Sequence, residues 1–461
     1  MMRVTMKKLM MAAALAALAG SAFAAHERPQ AVKDHLEWFK DQKFGLFMHF
    51  GLYSQLGIVE SWPLVDADAS WSRFEIANMT GDALRSMYFG MNRSFNPVLF
   101  DPKEWADAAV AGGFKYVIFT TKHHDGFCLY DTKYTDFKTT DASCPYSSNA
   151  NANLVKRLFD ACRARGLGIS AYFSKADWHC TDYWENHGIG YHTTRHPTYD
   201  PRKDPVKWGR FRDFTRNQMV ELARDCGPLD MFWLDAGWCG PANNQNIDIE
   251  GTMAECRKYS PGVLAIGLDS DSPCDDVKVV ENKLPETAMV DQAWESCRKT
   301  ARYWSYHYDL PYRTSHEIIH ELVEIVAKGG NLALNIGPMP NGKLPEQALK
   351  VTREIGAWLK VNGTAIYATR PLAPYFKDKW GYTVSKSGVR YAIRIWGPED
   401  KGLSAVKVAA DSPIAKAWAI RNLRTSRGMS VDKAADGTFE IKLPDWFKPD
   451  ADADAFELLI K

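Results

Sequence analysis

Six consecutive residues, Lys122-His123-His124-Asp125-Gly126-Phe127, put four ionisable side chains directly after an apolar run over 116–121. A run of β-branched and aromatic residues without alternation suits a parallel strand covered on both faces. In barrels of such strands, chemistry gathers at the C-terminal ends. Neighbouring strand residues face opposite sides, which predicts that the two imidazoles diverge. Other apolar runs end in the same way: His49 closes 44–49, Tyr172 with Ser174 and Asp177 follows 167–173, and Asp235 closes 230–235.

Asp235 follows Met231-Phe-Trp-Leu, where an ionised carboxylate is costly unless it is hydrogen-bonded or paired. A structural aspartate capping the next helix is the plainer alternative. Trp233, two residues back, points to the same side. A tryptophan beside a carboxylate suits a sugar pocket, and it suits an ordinary core as well. Glu295, in Ala293-Trp294-Glu295-Ser296, is the second carboxylate of interest, its alternative being a solvated partner for Arg or Lys beside a helix-like stretch. Two carboxylates across a pocket hydrolyse glycosides, one as nucleophile or base and the other as acid. The rival chemistry is a divalent metal held by His49, His123, His124, His179 and Asp235. Against it stand the lack of an H-x-H at the first strand and the opposed rings of the pair.

Strand-like runs alternate with helix-like stretches over ~300 residues, which reads as a (β/α)8-like, TIM-type barrel. Further strands are expected over 263–267, 289–290 and 332–336, and helices over 102–112, 153–165 and 204–225. The ragged spacing after the fifth strand predicts an incomplete or distorted barrel. An amphipathic helix over 345–362 follows, opened by a proline and closed by Asn362-Gly363. Beyond Arg370-Pro371, short alternating segments joined by Gly, Asp and Pro turns predict a C-terminal antiparallel β-sandwich. The expected division is 1–24, 25–370 and 371–461.

Residues 1–24 carry Arg3, Lys7 and Lys8, then an apolar run, then Ala22-Phe23-Ala24, the pattern of a cleaved signal peptide. Its loss takes the formal charge from +1 to −2. That balance implies no nucleic-acid partner, and no later stretch has the ~18 apolar residues of a membrane span. The protein is expected to be exported to a periplasm or the medium. Nine cysteines lie between Cys128 and Cys297. In an exported chain some are expected to pair, and an odd number leaves at least one free. None forms the C-x-x-C of a zinc knuckle or redox site.

The chain resembles the α-L-fucosidases of glycoside hydrolase family 29. The resemblance rests on Trp38-Phe39, Lys43-Phe-Gly-Leu-Phe-Met-His-Phe-Gly-Leu-Tyr-Ser54, Phe114-Lys-Tyr-Val-Ile-Phe-Thr-Thr-Lys-His-His-Asp-Gly-Phe127, Trp233-Leu-Asp235 and Lys328-Gly-Gly-Asn-Leu-Ala-Leu-Asn-Ile-Gly-Pro338. It implies a barrel with a companion β-domain and a retaining exo-hydrolase that needs neither metal nor cofactor and acts on a fucosylated oligosaccharide or glycoconjugate. By the same resemblance Asp235 is the nucleophile, His49, His123, His124, Tyr172 and Trp233 line the fucose subsite, and Glu295 is the acid/base; should Glu295 be structural, Glu281 or Glu286 in the neighbouring loop is the next candidate. Glu60 and Trp62, with Trp71, stand for a Glu-Trp pair after the first strand. Two departures are the Phe of His49-Phe50-Gly51 and the lack of an arginine in Ala265-Ile-Gly-Leu-Asp269. Hydrolysis of a related sugar such as an α-L-galactoside, which differs by one hydroxyl, and sugar binding without turnover remain as alternatives.

Overall fold

The computed structural model describes residues 28–460 other than 77 and 268–273. The expected signal peptide and the Leu268-Asp269 pair lie outside the described residues. Helix α1 (Gln30–Gln42) leads into β1 (Phe44–Met48), and seven more strands follow: β2 (Tyr116–Lys122), β3 (Gly168–Ser174), β4 (Met231–Asp235), β5 (Leu264–Gly267), β6 (Val277–Glu281), β7 (Trp294–Lys299) and β8 (Asn331–Ile336). All pair in parallel with their neighbours, and β8 pairs with β1, so the barrel is closed rather than incomplete.

Five strands and the eighth fall where the apolar runs predict them. The sixth is Val277–Glu281 and not Met289-Val290, and the helix-like reading around Glu295 is corrected to strand β7. The reason is exposure. Among the described residues no helix follows β5 or β6, so the outward face of β6 meets solvent, with Val277 buried and Lys278 exposed. A strand covered on one face alternates and carries charge, and it loses the continuous apolar signature.

The helices of the barrel begin at capped positions. After α2 (Gly81–Phe89), α3 (Pro102–Ala111) starts where the Asp101 carboxylate accepts the N–H groups of Lys103 and Glu104. Asn153 caps α4 (Leu154–Arg163), and Asp204 caps α5 (Pro205–Asp225) by accepting from Lys207. Such caps satisfy donors that the first turn leaves orphaned. A short α6 (Ile249–Cys256) follows β4.

Inside the barrel, α1 seals the N-terminal mouth, its Val32 and Phe39 packing with Phe47, Tyr116, Ile118, Met231, Trp233 and Ile266. Gly45 is required there, since a Cβ would lie 2.2 Å from the Tyr116 ring.

Helix α7 (Ser315–Ala327), opened by a Thr314–Glu317 capping box, buries Ile318, Ile319, Leu322, Val323, Ile325, Val326 and Ala327. That is more than one stripe, because the barrel covers one side and the C-terminal sheet the other: a Cβ on Gly381 would meet Val323 and Ala327 within 3.2 Å. Helix α8 (Glu346–Asn362) then leads into eight antiparallel strands: β9 (Thr369–Lys377), β10 (Trp380–Ser385), β11 (Arg390–Ile395), β12 (Ala405–Val408), β13 (Ala419–Asn422), β14 (Gly428–Lys433), β15 (Phe439–Lys442) and β16 (Ala453–Leu459). They form one sheet in the order β12-β15-β14-β13-β16-β11-β10-β9. Residues from both halves, such as Trp380 and Tyr382 with Val406 and Ile441, share one core, as in a sandwich. Strand β9 was hidden by its prolines, 371 and 374, which an edge strand tolerates.

Candidate active site

The C-terminal ends of the strands open into one cavity of about 960 Å3. Its floor is aromatic, made by Phe47 from β1, Tyr172 from β3 and Trp233 from β4, the last two stacked with centroids 5.6 Å apart. The loop after β4 and the first residues of α6, over 237–250, supply much of one wall.

Asp235, the last residue of β4, lies on this floor and both its oxygens are held. Oδ2 accepts the Tyr172 hydroxyl at 2.5 Å, and Oδ1 accepts the Ala236 N–H at 2.5 Å. One face remains toward the cavity, the side chain being 16% exposed. A carboxylate oriented by two donors and open on one side is built to meet an electrophile.

The histidines surround it. His49 shares a hydrogen bond through Nδ1 with Asn335 Oδ1 at 2.7 Å, and His123 through Nδ1 with Ser61 Oγ at 2.6 Å. Burial lowers the pKa of His49 to about 4 and holds His123 and His124 well below the ordinary value, so all three are neutral near pH 7.

The expected divergence of the pair does not occur: the two rings lie 4.3 Å apart. The β2–β3 register shifts between Thr120 and Lys122, a bulge that ends the alternation before His123. Lys122 instead turns away to pair with Asp177 at 2.7 Å. His123 lines the cavity. His124 does not: fully buried among Trp62, Trp178 and Trp238, it bonds Ser174 Oγ through Nδ1 and brings Nε2 to 3.5 Å from Asp235 Oδ2.

His123, His124 and Asp235 offer donor atoms within 4.8 Å of one another, a spacing that a metal ion could bridge. The fit is poor, because both Asp235 oxygens already accept hydrogen bonds, from Tyr172 and the Ala236 N–H, and the Nδ1 atoms of His123 and His124 are each bonded to a serine hydroxyl. His179, the other histidine considered for a metal, stacks on Phe137 at 3.9 Å and is not among the cavity residues.

A family profile described as alpha-L-fucosidase matches residues 10–364. The chain belongs to the α-L-fucosidase family. It is 29% identical over 402 residues to the tissue alpha-L-fucosidases of Macaca fascicularis and Homo sapiens, covering 79% of this chain and 76% of each relative. Among solved structures, alpha-L-fucosidase isoenzyme 1 from Paenibacillus thiaminolyticus superposes with a TM-score of 0.77 at 28% identity, over 94% of this chain and all of that one. A Bacteroides thetaiotaomicron alpha-L-fucosidase, trapped as a covalent intermediate in complex with 2-fluoro-fucosyl fluoride using a glutamate-to-glutamine mutant, gives 0.75 at 25% identity over 94% and 96%.

In this α-L-fucosidase family member the cavity brings together seven of the residues singled out from sequence: His49, Glu60, Trp62, His123, Tyr172, Trp233 and Asp235. Glu60 is buried at a positive φ of 40°, and its Oε1 accepts the Ser305 N–H at 2.7 Å. Burial raises its pKa to about 7. Trp71 lies outside the lining, 59% exposed, with its ring 6.4 Å from that of Trp62.

Glu295 is the main correction. It is fully buried and does not line the cavity. Its Oε1 accepts Trp233 Nε1 at 3.0 Å and its Oε2 the Tyr116 hydroxyl at 2.5 Å. On β7 it stands two residues below Cys297, which does reach the cavity and pairs in register with Glu281 of β6. Glu295 therefore lies one layer beneath the floor, out of reach of a glycosidic oxygen, and acts by positioning Trp233.

Glu281, the last residue of β6, lines the cavity. Its strand-end position is the one that singled out Asp235, and from sequence it ranks behind Glu295 because β6 is read there as a loop. Lys175, Arg195 and Trp238, which the sequence did not single out, also line the cavity, as does Trp304. Arg195 lies over the Trp62 and Trp238 rings at 5.0 and 5.3 Å, and Trp304 faces His49 at 5.3 Å.

Proposed function

We propose that the protein is a retaining exo-acting α-L-fucosidase in which Asp235 is the nucleophile and Glu281 the acid/base. The observation that carries this reading is Asp235 itself, oriented by Tyr172 and the Ala236 N–H on the floor of an aromatic, histidine-lined cavity.

The Asp235 carboxylate attacks the anomeric carbon while the departing glycosidic oxygen takes the Glu281 proton. The resulting glycosyl ester is cleaved by a water that loses its proton to Glu281, which releases fucose and restores both carboxyls. Neutral His49 and His123 can donate to or accept from sugar hydroxyls, and the aromatic floor faces C–H groups.

The reading is tested with 2-fluoro-fucosyl fluoride. Intact mass should rise by one 2-fluorofucosyl group, and peptide mapping should place the label on Asp235. Labelling of another residue, or no labelling beside active turnover, overturns the assignment. Asp235→Ala should lose ~10³-fold or more of wild-type turnover while keeping its circular dichroism spectrum.

We read residues 1–24 as an export signal. The cysteines are compatible with an oxidising compartment. The expected pairing does not occur, since no disulfide is formed among the described residues; eight of the nine cysteines are buried, and burial raises the Cys128, Cys162 and Cys226 thiols to about 12, leaving little thiolate to oxidise. N-terminal sequencing of the exported protein should begin at Ala25.

A further inference from the structure

One cavity residue has no part in the reaction described above. Lys175 follows Ser174 at the end of β3, and its backbone N–H reaches the carbonyl of Asp235 at 3.2 Å. Its side chain lines the cavity, yet the residue is only 3% exposed. Among the described residues no hydrogen-bond acceptor or carboxylate pairs with its ammonium group, in contrast to Lys122, which is buried one residue beyond Thr121 and paired with Asp177 at 2.7 Å. The stem is thus covered while the ammonium opens onto the cavity without a protein partner, and a largely desolvated cation without a counter-charge is costly. Burial lowers the Lys175 pKa, while Cys239, Asp235, Asp275 and Cys274 act in the other direction.

We infer that Lys175 is a sugar-binding residue whose ammonium donates hydrogen bonds to a hydroxyl of the bound glycone beside Asp235. The inference rests on the fucosidase reading. An ammonium has three donors and no acceptor, so it needs ligand lone pairs, and in this cavity a bound sugar can supply them. A neutral hydroxyl suits the surroundings better than an acidic substituent, because Asp235, Asp248, Glu250 and Glu281 line the same cavity. Tied by its backbone to Asp235, Lys175 would hold the ring in register with the nucleophile.

The test pairs Lys175→Met and Lys175→Arg with nitrophenyl α-L-fucoside and a set of monodeoxy analogues. Removing one hydrogen bond to a charged group should weaken binding by about 10- to 100-fold. Lys175→Met should therefore raise KM, and the dissociation constant for free L-fucose, by that factor, with Lys175→Arg recovering part of the loss. One deoxy analogue should suffer a comparable loss on the wild type and no further loss on Lys175→Met, since variant and analogue remove the same bond. Equal additional losses for every analogue would make Lys175 structural and overturn the inference. Unchanged fucose affinity in a folded Lys175→Met would do so as well. If Lys175→Met does not fold, Lys175→Arg decides alone: its discrimination must change for one hydroxyl only, and uniform changes overturn the inference. Failure of the wild type to turn over any fucoside would sink the fucosidase reading, and fucose affinity still tests Lys175 separately.

Discussion

Trp233 donates its indole N–H to Glu295 Oε1 at 3.0 Å, joining a ring on the cavity floor to a carboxyl in the layer beneath. Tyr116 closes the arrangement from across the barrel by donating to the other oxygen. Both donors sit on neutral groups, and burial raises the Glu295 pKa from 4.5 to about 7. The folded state thus holds this proton more tightly than the unfolded chain does. Stability from this group is fully present below pH 4.5 and declines as pH rises to about 7.

Glu295→Gln removes that dependence. The raised value corresponds to roughly 3 kcal/mol lost by pH 8. The fall in Tm between pH 5 and pH 8 should be smaller in the variant than in the wild type. An identical fall in both would show that Glu295 does not titrate in this range. Activity on an aryl fucoside should persist, since Glu295 touches no reacting atom.

Glu281→Ala should separate substrates by leaving group. General acid catalysis contributes ~10²–10⁴-fold, so a natural disaccharide should lose at least ~10²-fold in kcat/KM and an activated nitrophenyl fucoside much less. Azide should restore turnover on the aryl substrate by yielding fucosyl azide. Equal losses on both substrates without azide rescue would transfer the role to Glu60, a cavity carboxyl that burial raises to about 7.

Exhaustive chelation should leave turnover unchanged, because both Asp235 oxygens and the Nδ1 atoms of His123 and His124 are already committed to hydrogen bonds within the protein. Stoichiometric metal by elemental analysis, with activity lost on its removal, would replace this mechanism by a metal-assisted one.

Trp71, exposed beside Trp62, is placed to meet the part of a glycan that projects from the cavity. Trp71→Ala should raise KM for a fucosylated oligosaccharide by about 3- to 10-fold and leave a nitrophenyl fucoside unaffected. Equal KM values for wild type and variant on the oligosaccharide would place the aglycone elsewhere.

Sequence made the barrel legible through strands covered on both faces, and Asp235 legible because it ends one of them. The same reasoning lost β6, which no helix follows among the described residues, and β7, whose Glu295, Arg298 and Lys299 blur the period although most of the strand is buried. Resemblance puts Glu295 in the pocket without the strand register that sets it one layer down, and Glu281 ranks second because β6 reads as a loop. The His123–His124 geometry required the bulge at the end of β2, which residue identities do not announce. Lys175 gave no signal at all, since a lysine after a strand ordinarily reaches solvent.

Helix α7 is apolar on two sides because the barrel and the C-terminal sheet both use it, and Tyr391, Ile393, Ala453 and Ala455 of that sheet belong to the same core as the barrel's Leu332 and Leu334. The catalytic half is consequently not a separable module. A chain cut before Thr369 would expose the second face of α7 as a sticky stripe, and fusion or domain-exchange engineering has to carry the sheet along with the cavity.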